Sequence, residues 1–453
     1  MPLTPACARN AGSSYEQWGV AMSASVRALL ISAPASGQGK TTVTAALARL
    51  AVRCGHRVRV FKTGPDFIDP MILERAARQP VYQLDLWMGG LSHCRGLLHQ
   101  AARDADLILV EGVMGLYDGN PSSADLAQTF NLPVALVIDG SAMAQTFGAI
   151  TLGLKNYRPE LKLHGVMANR VAGAGHAAML SASLVGPAAE IRFLGALPQD
   201  ATLAIPDRHL GLVQADEIPD LDARLDRAAD AIAATLKLAE IPEVPCVARE
   251  PVEPPPRLLT AVRIAVARDA AFSFAYPANL ALLQAMGASV TYFSPLEDEA
   301  LPAADAIYLP GGYPELHAER LAANRGMHQA LRSHVEAGKP MLAECGGMML
   351  LFEHLTDVNG RRHTMVGLLP GETAMQSRLQ SLALQSVQFE SGELRGHSFH
   401  HSRLATPLTP ALCGRTQHGS PGEAVFQHRK LTATYIHFYW PSNPHVAAQL
   451  LLP

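Results

Sequence analysis

The 453-residue chain lacks several features that would place it in common protein classes. Its six cysteines are scattered without C-x-x-C spacing, which argues against a disulfide scaffold or a cysteine metal site and indicates reduced thiols in the cytoplasm. No uninterrupted apolar run approaches the ~20 residues of a membrane span. A net charge of -3 without a basic cluster argues against nucleic-acid binding. We therefore expect a cytoplasmic protein whose partners are small molecules, not a membrane or a nucleic acid.

The two ends of the predicted N-terminal domain are marked by composition. Residues 1–25 lack the basic start and apolar centre of a secretory signal and are predicted to be a loose extension, with Met22 as an alternative start. Residues 239–260 contain six prolines, which remove backbone donors and favour extended chain. We interpret this segment as a semi-rigid linker between one domain at 26–238 and a second at 261–453.

Short apolar strands alternate with helical patterns on both sides of the linker. The strands before it include RALLISAP, RVRVFKTG, DLILVEG and LPVALVID, and those after it include RIAVARD, AIYLPGG and PMLAECGG. Such alternation with Gly-rich turns predicts parallel sheets covered by helices on both faces. The expected fold class is α/β with two doubly wound domains, each with its site at the carboxyl ends of its strands.

A glycine-rich turn follows the first strand, in APASGQGKTT. Backbone amides in such a turn approach phosphate, the following helix N-terminus favours anions, a lysine reaches the outer phosphates and a threonine can ligate Mg²⁺. The first glycine of the full pattern is replaced by Pro34. The sequence therefore predicts a nucleotide phosphate site formed by Gly37, Gly39, Lys40, Thr41 and Thr42.

Acidic side chains follow two further strands, in FKTGPDFIDP and EGVMGLYDG. Carboxylates at this edge can hold Mg²⁺ or orient a substrate, whereas a single Asp in a turn commonly caps it. Four acids on two strand ends favour metal or substrate binding, and the candidates are Asp66, Asp69, Glu111 and Asp118.

Two later segments supply polar candidates. Asn169, after the strand GVMA, has an amide that can read a base edge or cap a turn. Arg208 and His209 follow in IPDRHLGL, where an isolated histidine is typical of a structural role.

Cys345 lies between the apolar strand PMLAE and two glycines. A nucleophile on a sharp strand-to-helix turn is exposed at the sheet edge, and the helix N-terminus favours its thiolate. His437, at the end of a strand-like run, is the candidate base, and backbone amides of Gly311, Gly312 and Gly346 can bind an oxyanion. A cysteine buried in a core is the alternative, but these features together favour a nucleophile.

These features together resemble the cobyrinic acid a,c-diamide synthase family of the cobalamin pathway, from about Ser25 to the C-terminus. The resemblance implies an ATP-binding domain like that of dethiobiotin synthetase, followed by a class I glutamine amidotransferase domain. Tyr439 stands where many Cys/His amidotransferases have a carboxylate, so a strict triad is not predicted. The stretches that carry the resemblance are APASGQGKTT, FKTGPDFIDP, EGVMGLYDG, IPDRHLGLVQADE, LPGGYPE, AECGGMM, GHSFHHS and YIHFYW.

The resemblance implies a glutamine-hydrolysing amidoligase that amidates the a and c acetate carboxylates of cobyrinic acid. ATP would be co-substrate, Mg²⁺ the cofactor, and L-glutamine and a corrin polycarboxylate the other substrates. Cys345 and His437 would release ammonia, and Asn169 would read adenine. Thr41 and Glu111 would hold the metal. The resemblance assigns substrate binding and amidation to Asp66, Phe67, Ile68, Asp69, Glu111 and Asp118.

Several alternatives stay open at this point. The ring can be metal-free hydrogenobyrinic acid, and a homo-oligomer is compatible with the sequence. Cobyric acid synthase is disfavoured because the motif is KTGPDFIDP and not KPQN. A P-loop ATPase with an inactive amidotransferase-like module is the rival from another class. The histidines of GHSFHHS, His397, His400 and His401, are interpreted as structural or substrate-facing, not as a metal site.

Overall fold

The computed structural model describes residues 24–205, 214–246 and 254–453. These residues divide into two compact units, one within 24–246 and the other within 254–453. Among them, no helix is long and apolar enough to cross a membrane. The predicted extension up to residue 23, the candidates Arg208 and His209, and residues 247–253 of the predicted linker lie outside the described residues.

The N-terminal unit alternates strands and helices along the chain. Its strands are β1 (Ala24–Ser32), β2 (Val58–Lys62), β3 (Tyr82–Gln83), β4 (Leu107–Glu111), β5 (Val134–Asp139), β6 (Leu163–Val171), β7 (Phe193–Pro198) and β8 (Glu243–Cys246). Its helices are α1 (Lys40–Arg53), α2 (Ile68–Ala77), α3 (Gly90–Asp104), α4 (Ser123–Thr129), α5 (Thr146–Tyr157), α6 (Ala174–Ala182) and α7 (Leu221–Ala233). Single 3-10 turns lie at Gly186–Ala188, Ala215–Glu217 and Leu238–Glu240.

Seven of these strands form a parallel sheet in the order β3-β2-β4-β1-β5-β6-β7. The central strand β1 is apolar on both faces, since Leu29 and Ile31 join one core cluster and Ala28 and Leu30 the other. The first cluster includes residues of α1, α2 and α7, and the second includes residues of α3, α4 and α5. Helices therefore cover both faces, which confirms the predicted doubly wound fold.

Part of the predicted linker belongs to this sheet. Strand β8 pairs antiparallel with the start of β1, and Val244 and Cys246 are buried while Glu243 and Pro245 are exposed. The prolines concealed this alternation. Pro245 is tolerated because β8 pairs only with β1, so the missing N–H removes no bond to a second strand. The linker interpretation of residues 243–246 is wrong.

The C-terminal unit contains a longer series of strands. They are β9 (Arg263–Ala267), β10 (Ser289–Phe293), β11 (Ala306–Leu309), β12 (Met341–Glu344), β13 (Phe352–Thr356), β14 (Arg362–Thr364), β15 (Leu369–Met375), β16 (Ser381–Phe389), β17 (Gly392–His400), β18 (Ser402–Ala405), β19 (Leu412–Thr416), β20 (Pro421–His428), β21 (Leu431–Thr434) and β22 (His437–Phe438). Its helices are α8 (Pro277–Ala285), α9 (Ala318–Ala323), α10 (Arg325–Glu336), α11 (Gly346–Leu351) and α12 (Pro444–Gln449), with 3-10 turns at Pro314–Leu316 and Trp440–Ser442.

The main sheet of this unit is half parallel and half antiparallel. Strands β10-β9-β11-β12-β21 run parallel, and β20, β19, β16, β17 and β22 continue the sheet antiparallel. A smaller sheet has the order β14-β13-β15-β18. The α/β class is confirmed, and the antiparallel half, which the sequence patterns did not reveal, carries His437 on β22.

We predict that Val244→Asp weakens the edge of the N-terminal sheet. Burying an unpaired carboxylate costs several kcal/mol, so β8 should detach from β1. Hydrogen exchange should then become at least about tenfold faster at residues 24–27, which is about 1.4 kcal/mol of lost protection. Pro245→Asp is the matched control, because the same side chain then lies on the exposed face. Equal exchange in both variants would contradict the assignment of β8.

Candidate active site

The predicted phosphate loop joins β1 to α1. Gly37 and Gly39 have φ of 77° and 92°, the left-handed region that favours glycine. Gly39 caps α1, and Thr42 lies in the first helical turn. The ammonium of Lys40 lies across the loop, donating to Ala35 O at 3.2 Å and Met114 O at 2.6 Å. This geometry leaves the amides of the helix N-terminus available to an anion.

Asn169 lies behind the loop. It is buried near the end of β6, and its Nδ2 donates to Gln38 O at 2.9 Å. A Cβ on Gly39 would come 1.9 Å from the same Nδ2, so this glycine permits the close approach. Asn169 thus braces the phosphate loop, while its role in reading adenine stays a prediction.

A buried lysine holds the predicted carboxylates together. Lys62 ends β2, and its Nζ lies 2.5 Å from Asp69 Oδ2, 2.6 Å from Glu111 Oε1 and 3.3 Å from Asp66 Oδ2. Thr41 of the phosphate loop donates to the same Glu111 oxygen at 3.0 Å. Three of the four acidic candidates therefore meet in one cluster beside the loop.

The charges of this cluster are coupled. Burial disfavours the charge of Lys62, but Asp69, Glu111 and Asp66 hold its pKa well above its usual value. Burial also raises the pKa of Asp66, assisted by the charge of Asp69. Asp69 keeps a pKa below its usual value despite burial because of its ion pair with Lys62. One ammonium thus faces three carboxyl groups, which makes the cluster suited to a further cation.

Glu111 has an oxygen suited to a metal ion. Its Oε2 is buried and has no hydrogen-bond partner among the described residues. Mg²⁺ commonly takes one or two protein ligands and completes its shell with phosphate oxygens and water. Thr41 and Glu111 fit that pattern, although no group of three or more His, Cys, Asp or Glu side chains in the described chain has metal-binding geometry.

The remaining candidates of this unit lie around the cluster. Asp118 accepts a hydrogen bond from Gly115 N at 2.9 Å, the turn-capping alternative, and its charge also acts on Lys40. Asp66 likewise caps α2 by accepting from the amides of Ile68 and Asp69. Phe67 is half-buried and Ile68 is buried at the start of that helix. Substrate contacts of these residues stay predictions.

Cys345 occupies the predicted strand-to-helix turn, between β12 and α11. Its backbone has φ 44° and ψ −108°, a conformation that costs about 1–3 kcal/mol in a non-glycine residue. Cys345 N donates to Thr434 O at 2.7 Å, and its carbonyl accepts from Met349 N at 2.9 Å. The turn is thus held from both sides, as a positioned nucleophile requires.

His437 lies beside Cys345, across the backbone of Gly311. A Cβ on Gly311 would come 2.3 Å from Cε1 of His437 and 3.3 Å from Cβ of Cys345. Strand β22 pairs with β17 so that His437 lies opposite His397, and the two rings stack with centroids 4.9 Å apart. The structure therefore brings together the predicted nucleophile and base.

The predicted oxyanion glycines lie at the same turn. A Cβ on Gly346 would come 3.0 Å from the backbone nitrogen of Gly312, which places the two main chains against each other. The Gly346 amide also acts on the Cys345 sulfur, since it lowers the pKa of the thiol. Both glycines are thus placed where backbone donors are needed, while their oxyanion role stays a prediction.

Burial dominates the electrostatics of the pair. It raises the pKa of the Cys345 thiol, with a further increase from Glu315, and this outweighs the Gly346 amide. Burial also lowers the pKa of His437 well below its usual value, assisted by His397. Both groups are therefore neutral at pH 7, because burial outweighs the effect of the helix N-terminus that favours the Cys345 thiolate.

The histidines of GHSFHHS surround this site without forming a metal cluster among the described residues. The Nδ1 of His397 is 2.9 Å from the hydroxyl of Tyr276. His400 stacks on Tyr435 with centroids 3.7 Å apart and bonds Glu423 at 3.1 Å. Tyr439, at the position of the usual carboxylate, packs edge-on against Tyr276.

Comparison with known proteins identifies both units. Residues 29–213 match the CobQ/CobB/MinD/ParA nucleotide binding domain, and residues 263–445 match the CobB/CobQ-like glutamine amidotransferase domain. The hydrogenobyrinate a,c-diamide synthase of Stutzerimonas stutzeri is 59% identical over 94% of this chain and 98% of its own. The chain belongs to the a,c-diamide synthase family.

Two further members of the family extend the comparison. The hydrogenobyrinate a,c-diamide synthase of Pseudomonas aeruginosa is 57% identical, covering 94% of this chain and 97% of its own. The cobyrinate a,c-diamide synthase of Herminiimonas arsenicoxydans is 50% identical, covering 95% and 97%. The family resemblance and the two domain types expected from the sequence are confirmed.

Lys62 is the residue of this family member that the sequence patterns did not single out. It stands in the quoted stretch FKTGPDFIDP, from which only Asp66, Phe67, Ile68 and Asp69 were selected as candidates. The available signal was a lysine at the carboxyl end of a strand, four residues before Asp66. The structure shows that it is the counter-charge of the cluster.

We predict that Lys62→Met destabilises the N-terminal unit by about 3–5 kcal/mol, because the buried Glu111 and the half-buried Asp66 and Asp69 lose their ammonium partner. The slowest-exchanging amides of β1 and β4 report this loss in hydrogen exchange. Lys162→Met, at an exposed position, is the control and should change little. A Lys62→Met protein as stable as the control would show that the cluster is not held by charge.

We also predict that Gly311→Ala separates the pair formed by Cys345 and His437. The added methyl group overlaps the His437 ring, so the imidazole must move away from the thiol. A displacement near 1 Å costs about 100-fold in rate. Release of ammonia from glutamine, measured as glutamate formed, should fall by that factor. Gly338→Ala, where an added Cβ meets nothing within 4 Å but the φ of 72° adds backbone strain, controls for a general loss of stability on glycine replacement in the same unit.

Proposed function

We propose that this chain is an ATP- and glutamine-dependent amidoligase that converts the a and c acetate carboxylates of a corrin into amides. The main observation behind this proposal is that Cys345, at a strand-to-helix turn, lies beside His437. The chain also has a phosphate loop next to a cluster of acidic side chains around Lys62. The names of the relatives support the substrate class.

The first half of the proposed reaction releases ammonia. His437 accepts the proton of Cys345, and the sulfur attacks the side-chain amide carbon of glutamine. Gly312 and Gly346 stabilise the oxyanion through their amides. The imidazolium returns the proton to the leaving nitrogen, so ammonia and a glutamyl thioester form, and water then releases glutamate. Because both groups are neutral beforehand, the proton moves only as the substrate is attacked.

The second half activates the acceptor. A carboxylate is a poor electrophile at neutral pH, so one corrin carboxylate attacks the γ-phosphorus of ATP, ADP leaves and an acyl phosphate forms. Ammonia then displaces phosphate to give the amide. Lys40 and the amides after Gly39 hold the phosphates, and the acids around Lys62 orient the acceptor. The cycle runs once for each of the two carboxylates.

Mg²⁺ belongs to this proposal as the partner of ATP. Thr41 and the buried Oε2 of Glu111 are the residues that would hold it. When bound, the ion neutralises charge on the phosphates. A cytoplasmic location agrees with the use of ATP and glutamine, and a homo-oligomer stays a prediction.

The identity of the ring is the finer question. The sequence favoured cobyrinic acid, with hydrogenobyrinic acid as the alternative. The relatives with 59% and 57% identity are named for hydrogenobyrinate, whereas the one with 50% identity is named for cobyrinate. We therefore place the metal-free ring first and test both.

The protein should form a diamide when it is incubated with MgATP, glutamine and either ring. Mass spectrometry should show two successive amidations, faster on hydrogenobyrinic acid than on cobyrinic acid. Preference for the cobalt ring would reverse our order of substrates. Recovery of both acids unchanged by folded protein would refute the amidoligase proposal.

Replacement of Cys345 by Ala should separate the two halves of the reaction. Turnover with glutamine should fall to background, while turnover with ammonium chloride stays near that of the unchanged protein, because the ATP site lies in the other unit. The rival binding-module function predicts no effect on any activity. Cys413→Ala, at an exposed cysteine of the same unit, is the control.

A further inference from the structure

Three glutamates surround the nucleophile. The charges of Glu315, Glu423 and Glu344 each raise the pKa of the Cys345 thiol, and Glu315 has the largest effect after burial. Tyr435 is a further titratable neighbour, and His437 lies across Gly311. Each of these carboxyl groups opposes formation of the Cys345 thiolate when it is ionised, unless a cation lies beside it.

Two of the three glutamates have partners within the protein. Glu344 accepts from the hydroxyl of Tyr308 at 2.8 Å and from Phe438 N at 3.2 Å. Glu423 is 3.1 Å from Nε2 of His400. Both carboxyl groups are thus held within the hydrogen-bond network of the fold.

Glu315 differs from both. It is 9% exposed, its carboxyl group accepts a hydrogen bond from its own backbone amide, and it has no ion pair among the described residues. It lies in the 3-10 turn Pro314–Leu316, three residues after Gly312, whose main chain packs on the nucleophile turn. The ring of the adjacent Pro314 also packs there, with its Cδ 2.8 Å from the Cβ position of Gly346. A largely buried carboxyl group without a counter-charge is costly to ionise, and such a group beside the nucleophile turn is suited to a ligand of opposite charge.

We propose that Glu315 binds the α-ammonium group of the substrate glutamine. The proposal rests on the proposed function and deepens it, since it names the residue that selects an α-amino acid as the nitrogen donor. An ammonium supplies up to three donors to a carboxylate, and a charge-assisted bond of this kind contributes about 10- to 100-fold in affinity. Glu315 is thus a specificity residue that contacts substrate away from the scissile amide.

This contact also couples binding to activation. Burial raises the pKa of Glu315 to about 7, so the group is partly protonated at neutral pH before glutamine enters. The bound ammonium favours the carboxylate and at the same time cancels its effect on Cys345. Formation of the thiolate therefore becomes easier only when an α-amino acid occupies the pocket.

The test compares Glu315→Gln with Glu319→Gln in the full-length protein. Glu315→Gln should raise the KM for glutamine about 10- to 100-fold and leave turnover with ammonium chloride unchanged. Glu319 is exposed on the adjacent helix and controls for loss of a carboxylate in the same segment. An unchanged KM in Glu315→Gln would overturn the proposal, as would an equal rise in the control.

A substrate analogue tests the contact itself. Glutaramate is glutamine without its α-amino group, so the unchanged protein should prefer glutamine by about 10- to 100-fold. Glu315→Gln should lose that preference, because its reaction with glutamine becomes less efficient while its reaction with glutaramate is unchanged. Persistence of the full preference would show that another group binds the ammonium.

The pH dependence distinguishes substrate binding from a structural role. Above pH 7 Glu315 is ionised and below it is protonated, so the KM for glutamine should fall as pH rises from 6 to 8. In Glu315→Gln the KM for glutamine should not fall over this pH range. Any change in KM caused by titration of the other groups around the nucleophile would remain in the variant; these groups are Cys345, His437, Glu344, Glu423 and Tyr435. An identical pH profile of KM in both proteins would contradict the assignment.

Stability provides a check on folding. A carboxyl whose pKa is raised in the folded protein destabilises the fold as pH rises from its unfolded value of about 4.5 through about 7. Glu315→Gln should therefore unfold at the same temperature or higher than the unchanged protein at pH 8 without glutamine. A lower unfolding temperature would show that Glu315 has a structural partner and would overturn the proposal. Absence of glutamine-dependent turnover in the unchanged protein would instead refute the proposed function.

Discussion

Main-chain pairing between parallel strands sets the position of the reactive side chains in both units. Lys62 lies in register with Glu111 on one side of β4, and Ile31, just before the phosphate loop, lies in register with it on the other. In the C-terminal unit Glu344, the last residue of β12, pairs with Thr434, the last residue of β21. Cys345 follows the first of these residues directly, and His437 follows the second by three residues, so both side chains lie at the same edge of the sheet. Because parallel strands end at one edge, distant segments of sequence form one site.

Buried charge is handled differently at the two sites. Around Lys62, one ammonium compensates only part of the charge of three carboxyl groups, and the remaining negative charge suits a metal ion. Around Cys345, the glutamates face a neutral thiol and a neutral imidazole. The first site is thus organised before its ligands arrive, whereas we propose that the second reaches its reactive protonation state only when substrate binds.

Missing side chains are as important here as those present. Gly311 leaves room for the His437 ring beside the nucleophile. Gly347 allows α11 to approach β11, since a Cβ there would come 2.3 Å from Leu309 O. These close approaches hold the strained backbone of Cys345 in place. The cost of that conformation is offset by packing and hydrogen bonds on both sides of the turn.

The sequence by itself determined the α/β class, the parallel N-terminal sheet, the phosphate loop and the Cys345 turn. Each of these depends on local patterns: apolar runs of strand length, glycines at turns, and a reactive residue between strand and helix. The acids at 66, 69 and 111 were also found this way, because strand ends can be recognised from neighbouring residues. Residues 243–246 were wrongly predicted to be a linker and not strand β8, because prolines obscure the alternation of buried and exposed positions.

Only the tertiary structure decided how these parts interact. The role of Lys62 depends on three carboxyl groups from two other segments, and the neutrality of Cys345 depends on burial by the whole unit. Glu315 became distinctive only because its carboxyl group is largely buried and has no ion pair among the described residues. Desolvation and long-range charge depend on the full three-dimensional surroundings of a group, and short sequence patterns do not contain that information.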